Sequence, residues 1–346
     1  MTVRQRRVRT VVQVLFLLFL VAGCLYIASR QRLAPYRHSS GGTFGTLYNI
    51  TYQSDHDLEA GLIRCLNDVD ASLSMYNDSS VLARINRNEG VEPDAMFLKV
   101  FGVAMQVWQQ TGGAFDITVA PLVHAWGFGS QSGALPDSAV VDSLLRFVGS
   151  DKVRLDTSRG RKSIVKADDR VMLDCSAIAK GYACDVVARW LEAQDVSNYM
   201  IEIGGEIVCR GVNAQRSPWR IGLTTPEDDS LNISNDIMTV VEFNDIAMAT
   251  SGNYRKFYVR DGKKYAHTID PKSGRPVEHT LLSATVFARE CVVADAFATA
   301  FMVVGTEKAQ HMLAEHPELT AYLVYSDDDG EMRTWCSPTL KEHIKK

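Results

Sequence analysis

The sequence predicts an α+β fold of mixed or antiparallel sheets packed with helices, and three observations carry that expectation. Long apolar periods of helical spacing fill the first third of the chain, whereas short runs rich in β-branched and aromatic residues dominate from Val171 onwards. Strands and helices do not alternate regularly, which disfavours a Rossmann arrangement. The pair Gly204-Gly205 also lacks the Gly-x-Gly-x-x-Gly spacing that opens a dinucleotide-binding helix.

The elements follow in order. Leu47 to Gln53 reads as a strand, Asp57 to Ser72 as an amphipathic helix and Ser79 to Asn88 as a short helix. Asp94 to Thr111 is a longer helix that stops at Gly112-Gly113. Val171 to Asp185 has the order strand, tight turn, helix, with Ser176 as its N-cap and the helix running from Ala179 to Gln194. Strands are expected at Tyr199 to Val208, Trp219 to Leu223, Met238 to Phe243, Phe257 to Arg260 and Leu282 to Phe287. Helices are expected at Val292 to Gly305 and Lys308 to His316.

Length and composition suit one catalytic unit behind a leader. Of 346 residues, 46% are hydrophobic and 23% charged, so a sizeable core is available and no linker divides the chain. Arg4, Arg6, Arg7 and Arg9 precede an apolar run from Val11 to about Ala28, the layout of an export signal. Within it, Leu20-Val21-Ala22-Gly23-Cys24 resembles a bacterial lipobox, which makes Cys24 a candidate lipidation site. An uncleaved membrane anchor is the other reading, and both tether the chain outside the cytoplasmic membrane. The expected organisation is a signal or anchor over 1–29, a tether from Arg30 to Gly42, one domain over 43–340 and a charged tail over 341–346.

The net charge is −4, and the first 37 residues hold seven arginines and no acid, so the remainder is more acidic by seven charges. Nucleic acid is thereby excluded as a partner class. The seven cysteines contain no Cys-x-x-Cys pair and are expected to be mainly buried thiols.

Chemistry concentrates in two segments. Asp295 and Thr299 stand four residues apart on a helix of mostly small residues, so both project from one face. Two hard oxygen ligands on one face suit magnesium, which takes a few protein oxygens together with those of a substrate phosphate. Lys180, in the first turn of the second segment, opposes the helix dipole and makes more sense facing an anion.

The motifs, taken in order, are Gly112-Gly113-Ala114-Phe115-Asp116-Ile117-Thr118, Pro121-Leu122-Val123 with Trp126-Gly127-Phe128, and Leu173-Asp174 with Ala179-Lys180-Gly181-Tyr182-Ala183. Then come Ile203-Gly204-Gly205-Glu206, Thr250-Ser251-Gly252-Asn253-Tyr254-Arg255, His267-Thr268-Ile269-Asp270-Pro271 with Ser273-Gly274, and the Asp295 to Thr299 helix. In this order they resemble the FAD:protein FMN transferase (ApbE) family, over roughly Thr43 to Pro338.

The resemblance implies an FAD site formed by Phe44, Tyr76, Ala114, Phe115, Asp116, Asp174, Lys180 and Ile269. It implies magnesium on the Ala177 carbonyl, Asp295 and Thr299, with Ala298 standing where some relatives carry a further aspartate. FAD would be cut at its pyrophosphate, the FMN phosphoryl group passed to a threonine or serine hydroxyl of another protein, and AMP released. His267 is the candidate base for that hydroxyl, with Asp270 either orienting it or capping the Pro271 turn. The implied acceptors are membrane or exported redox proteins, such as subunits of sodium-pumping NADH:quinone reductases or related electron-transfer complexes. The implied location is the bacterial inner membrane, with the domain facing the periplasm. An FAD pyrophosphatase and a non-catalytic FAD-storage lipoprotein are the other two readings.

Overall fold

The computed structural model describes residues 12–23, 34–128, 135–158, 160–225, 237–253, 257–260 and 263–345. Cys24, Tyr254 and Arg255 lie outside the described residues. The elements run α1 (12–23), β1 (Tyr36–Thr43), β2 (Thr46–Gln53), α2 (Glu59–Leu73), α3 (Val81–Asn86), α4 (Ala95–Gln110), α5 (Ala120–Ala125) and α6 (Ser138–Leu145). They continue with β3 (Val153–Asp156), β4 (Ser163–Lys166), α7 (Ala179–Ala193), β5 (Tyr199–Ile203), β6 (Glu206–Arg210), β7 (Trp219–Thr224), β8 (Ile237–Phe243) and β9 (Ile246–Gly252). The last are β10 (Phe257–Arg260), β11 (Lys263–Ala266), β12 (Ile269–Asp270), β13 (Arg275–Pro276), β14 (Leu281–Ala288), α8 (Cys291–Val304), α9 (Thr306–Glu315), β15 (Thr320–Ser326), β16 (Met332–Cys336) and β17 (Ile344–Lys345).

An eight-stranded sheet in the order β1-β2-β5-β6-β9-β14-β15-β16 forms the centre, and every neighbouring pair in it is antiparallel. The period of two along its strands separates two cores. Val208, Ala247, Ala249, Ala284 and Val286 face the helices, whereas Ile207, Cys209, Met248 and Phe287 face the small sheet β17-β8-β7. The fold is therefore three layers, with helices over one face of the large sheet and a small sheet over the other.

Helix α8 lies closest to the sheet because its side chains allow it. Ala294, Ala296, Ala298 and Ala300 are fully buried and add little width. Helix α7 reaches α8 at Gly181, where a Cβ would meet the Cys291 carbonyl oxygen at 2.4 Å. The start of α8 is capped from α7: Asp185 accepts from the Cys291 and Val292 amides, both at 2.9 Å. No side chain of its own N-cap residue does this.

Several expectations are corrected. Residues 36–42, read as part of a tether, form edge strand β1 and pair with β2. Gly41 there serves packing, since a Cβ would come within 2.9 Å of the Tyr48 ring. The charged tail is likewise ordered: Ile344 and Lys345 pair with Val241 and Val240, and His343 stacks on Phe243. Residues 171–175 form no strand, because Leu173 exchanges two hydrogen bonds with the Asn86 side chain instead of with a neighbouring strand. Ser176 does not cap α7, whose N-cap is Ile178; the Ser176 amide instead donates to Asp174 Oδ1 at 2.7 Å. The expected strand Tyr199 to Val208 is a hairpin, folded at Gly204-Gly205, which have φ of 63° and 102°.

Among the described residues no helix is long and apolar enough to cross a membrane. The described cysteines are free thiols, buried except for half-buried Cys336.

Candidate active site

Where the helical layer meets the ends of β9 and β12, a cavity of about 270 Å³ gathers nine of the residues singled out in the sequence: Tyr76, Ala114, Phe115, Asp116, Asp174, Ala177, His267, Ile269 and Thr299. A second cavity of about 570 Å³ adjoins it, sharing Tyr76 and Ser176, and is lined by Phe44, Gly45, Ala179 and Lys180 among others. Phe44 and Gly45 form the two-residue turn between β1 and β2, both with positive φ (49° and 71°), as a primed hairpin turn requires. A phenylalanine at positive φ is unfavourable, and this one sits at a cavity wall, where such strain concentrates.

The aspartates differ in what they have left to offer. Asp116 is buried and internally satisfied: it accepts from the Thr118 amide and hydroxyl at 2.8 and 2.6 Å, and from the Ser150 amide and hydroxyl, both at 2.9 Å. Its carboxylate fastens the turn that places Ala114 and Phe115, so its place is in the wall. Asp270 caps its own turn, accepting from the Lys272 and Ser273 amides. Asp174 orders the turn before α7 and lies beside Tyr76. Tyr76 itself is 72% exposed and stands where the two cavities adjoin.

Asp295 lines neither cavity but lies just beneath, 2% exposed, with Oδ2 accepting from the Gly181 amide at 2.9 Å. Thr299, one turn on, faces the first cavity, and its hydroxyl lies 3.3 Å from the Ser251 hydroxyl on β9. The sheet period places Ser251 on the same face as Ala247 and Ala249, toward α8. His267 stands edge-on to Phe128 with ring centroids 6.4 Å apart. The next residue is pinned, since the Thr268 hydroxyl donates to Asn253 Oδ1 at 2.7 Å.

The anion that Lys180 faces is Glu206, whose Oε1 lies 2.7 Å from Nζ. Burial alone would lower the lysine pKa. The charges of Glu206 and Asp295 outweigh it and hold the ammonium above the ordinary lysine range. Burial pushes the Glu206 carboxyl up, Asp295 adds to this, and Lys180 offsets part of it. Among the described residues, Glu206 Oε2 is buried without a hydrogen-bond partner.

Reading the sequence for chemistry missed Ser251, Phe128 and Glu206, although each lies in a motif noted there. The signal available was a hydroxyl, a ring and an acid beside glycines, with nothing local to say what they face.

The sequence model of the ApbE family matches residues 44–323, and the chain belongs to that family. It is similar to the FAD:protein FMN transferase of Haemophilus influenzae, 37% identical over 323 residues, covering 90% of this chain and 92% of that protein. Among solved structures it is similar to the flavin transferase ApbE from Vibrio cholerae, with a TM-score of 0.79, 34% identity and coverage of 90% and 99% of the two chains. Pseudomonas stutzeri flavinyl transferase ApbE in its apo form gives a TM-score of 0.79 at 29% identity, with 90% and 98% covered.

Proposed function

We propose that this chain transfers the FMN half of FAD to a threonine or serine hydroxyl of another protein and releases AMP. The observation that carries the reading is the joining of the two cavities at Tyr76 and Ser176. One holds a histidine, hydroxyls and apolar walls; the other holds a phenylalanine and a lysine. This suits an elongated substrate with flat rings at its ends and an anionic centre. The names of its relatives support the same reaction.

In that reaction the acceptor hydroxyl oxygen attacks the phosphorus of the FMN half, and the bond from that phosphorus to the bridging oxygen breaks. The bridging oxygen leaves with AMP. His267 takes the hydroxyl proton, and Phe128 against its ring fixes the imidazole in the cavity wall. The Ala114-Phe115-Asp116 turn binds the nucleotide end, Tyr76 and Ile269 lie beside the cofactor, and Phe44 packs on a flavin or adenine ring. Asp116 and Asp174 hold the turns that carry these walls.

The donor set beneath the cavity fits magnesium: a buried carboxylate, hydroxyls and a backbone carbonyl. Asp295, Thr299 and the Ala177 carbonyl would hold the ion, which supplies charge neutralisation at the pyrophosphate and the leaving phosphate. Ala298, fully buried, adds no ligand.

The acceptors we assign are membrane or exported redox proteins, such as subunits of sodium-pumping NADH:quinone reductases. The basic start of the chain and the outward-facing apolar residues of α1, including Leu15, Phe16 and Phe19, support anchoring at the outer face of the cytoplasmic membrane. Lipidation of Cys24 is part of that proposal.

The test is incubation of the protein with FAD, magnesium and a flavin-acceptor protein, following in-gel flavin fluorescence and AMP together. Covalent fluorescence matched by AMP is the expected result. AMP with free FMN and no labelled acceptor would indicate a pyrophosphatase, and neither product a storage protein.

A further inference from the structure

Glu206 belongs to a motif, Ile203-Gly204-Gly205-Glu206, that the reaction above leaves without a task. The hairpin between β5 and β6 turns on two glycines with positive φ, and the Gly204 amide donates to the Leu47 carbonyl at 3.0 Å. A Cβ on Gly204 would lie 2.8 Å from Thr46 Cγ2 and 3.3 Å from Lys180 Cδ. The missing side chain therefore leaves room for the lysine stem to pass beneath the turn. The residue immediately after the turn then meets the head of that stem, with Glu206 Oε1 2.7 Å from Lys180 Nζ. The Cys184 thiol packs under the same strand, donating to the Glu206 carbonyl at 3.4 Å.

This pair is poorly built for stability alone. Taking the Glu206 charge out of water is costly while the Lys180 side chain stays 27% exposed, and apolar replacements of similar volume for buried pairs are often neutral or better. Leaving Glu206 Oε2 buried with no partner among the described residues adds to the cost. The arrangement makes sense as a device that holds a charge at a fixed place. Lys180 lines the second cavity, and its ammonium has three N–H donors, of which Glu206 takes one.

We infer that Glu206 is a positioning residue: from the Gly204-Gly205 hairpin it fixes the Lys180 ammonium at the wall of the second cavity, where the remaining N–H groups bind the anionic pyrophosphate of the dinucleotide. This rests on the reading of the joined cavities as an FAD site. Glu206 itself touches no substrate. It acts through Lys180, so removing either partner removes the same interaction.

FAD binding by the purified protein, without acceptor, tests this through quenching of flavin fluorescence in the wild type, Glu206→Gln, Lys180→Met, the double variant and Glu206→Asp. The expected result is a Kd raised about tenfold in each of the first two single variants. The double variant should be no weaker than Lys180→Met, and Glu206→Asp should recover part of the loss. A general structural role would not produce that non-additivity or that rescue. Wild-type affinity in Glu206→Gln, or losses that add in the double variant, would overturn the inference. Should Glu206→Gln fail to fold with its lysine unpaired, the double variant and Lys180→Met decide alone: equal affinities support the inference and unequal ones refute it. A wild type that does not bind FAD would instead refute the reading of the site.

Discussion

Asp295 Oδ2 accepts the Gly181 amide at 2.9 Å, so the carboxylate assigned to the metal on α8 is also the acceptor that ties α8 to the first turn of α7. Stability and activity at this residue are therefore separable by choice of substitution. Asp295→Ala leaves the Gly181 N–H buried without a partner, which costs roughly 1–3 kcal/mol. Asp295→Asn keeps an oxygen for the Gly181 amide but loses the charge and the second carboxylate oxygen. Both variants should lose transferase turnover, while thermal unfolding should show a clearly lowered midpoint for Ala alone. Full turnover in Asp295→Asn would remove the residue from the metal site.

Replacing His267 by Ala tests its assignment as the base acting on the acceptor hydroxyl. Transfer to protein should fall at least 100-fold. AMP release to water should fall far less, because water does not depend on a base placed for a protein hydroxyl. Parallel assays of labelled acceptor and AMP read both, and equal losses would argue against this role.

The reach of the sequence is clearest at α8. The spacing of Asp295 and Thr299 and the run of small residues were enough to place both oxygens on one helix face beside a close-packed sheet. What caps that helix was not legible, because Asp185 comes from another helix more than a hundred residues earlier. Asp116 illustrates a second limit. A turn aspartate after two glycines reads as ligand or fastener, and the Ser150 contact from 34 residues away, which shows the fastening, is not legible locally. Ser39-Ser40-Gly41-Gly42 illustrates a third, since small polar residues read as linker when local composition is all there is. Pairing with β2 and the proximity of the Tyr48 ring make them a strand.

Gly181→Ala sets helix propensity against packing. Alanine is favoured over glycine in a helix interior by about 1 kcal/mol. Here its Cβ would lie 2.4 Å from the Cys291 carbonyl oxygen and 2.7 Å from Asp295 Cβ, and backbone cannot yield as a flexible side chain does. Overpacking of this kind costs about 1–3 kcal/mol and should win. The variant should be net destabilised in urea unfolding and weakened in turnover, since separating the helices moves Asp295. A more stable variant would show that α7 and α8 have room to part.

Asp185 makes stability depend on pH in a direction opposite to that of an ordinary surface carboxylate. Its two amide bonds at the start of α8 favour the anion, yet burial outweighs them and raises its pKa to about 6. In the unfolded chain an aspartate titrates near 3.9. Between those values the folded protein keeps a proton that the unfolded chain has lost, so the contribution of this group to stability falls as pH rises from about 4 to 6 and is lost above that. Two pH units correspond to about 3 kcal/mol. Asp185→Asn cannot titrate and keeps one acceptor for the α8 amides. The difference in unfolding free energy between wild type and Asp185→Asn should therefore shift against the wild type by up to that amount from pH 4 to pH 7. Urea unfolding of both proteins at several pH values measures it, and a constant difference would mean that Asp185 is ionised throughout the range.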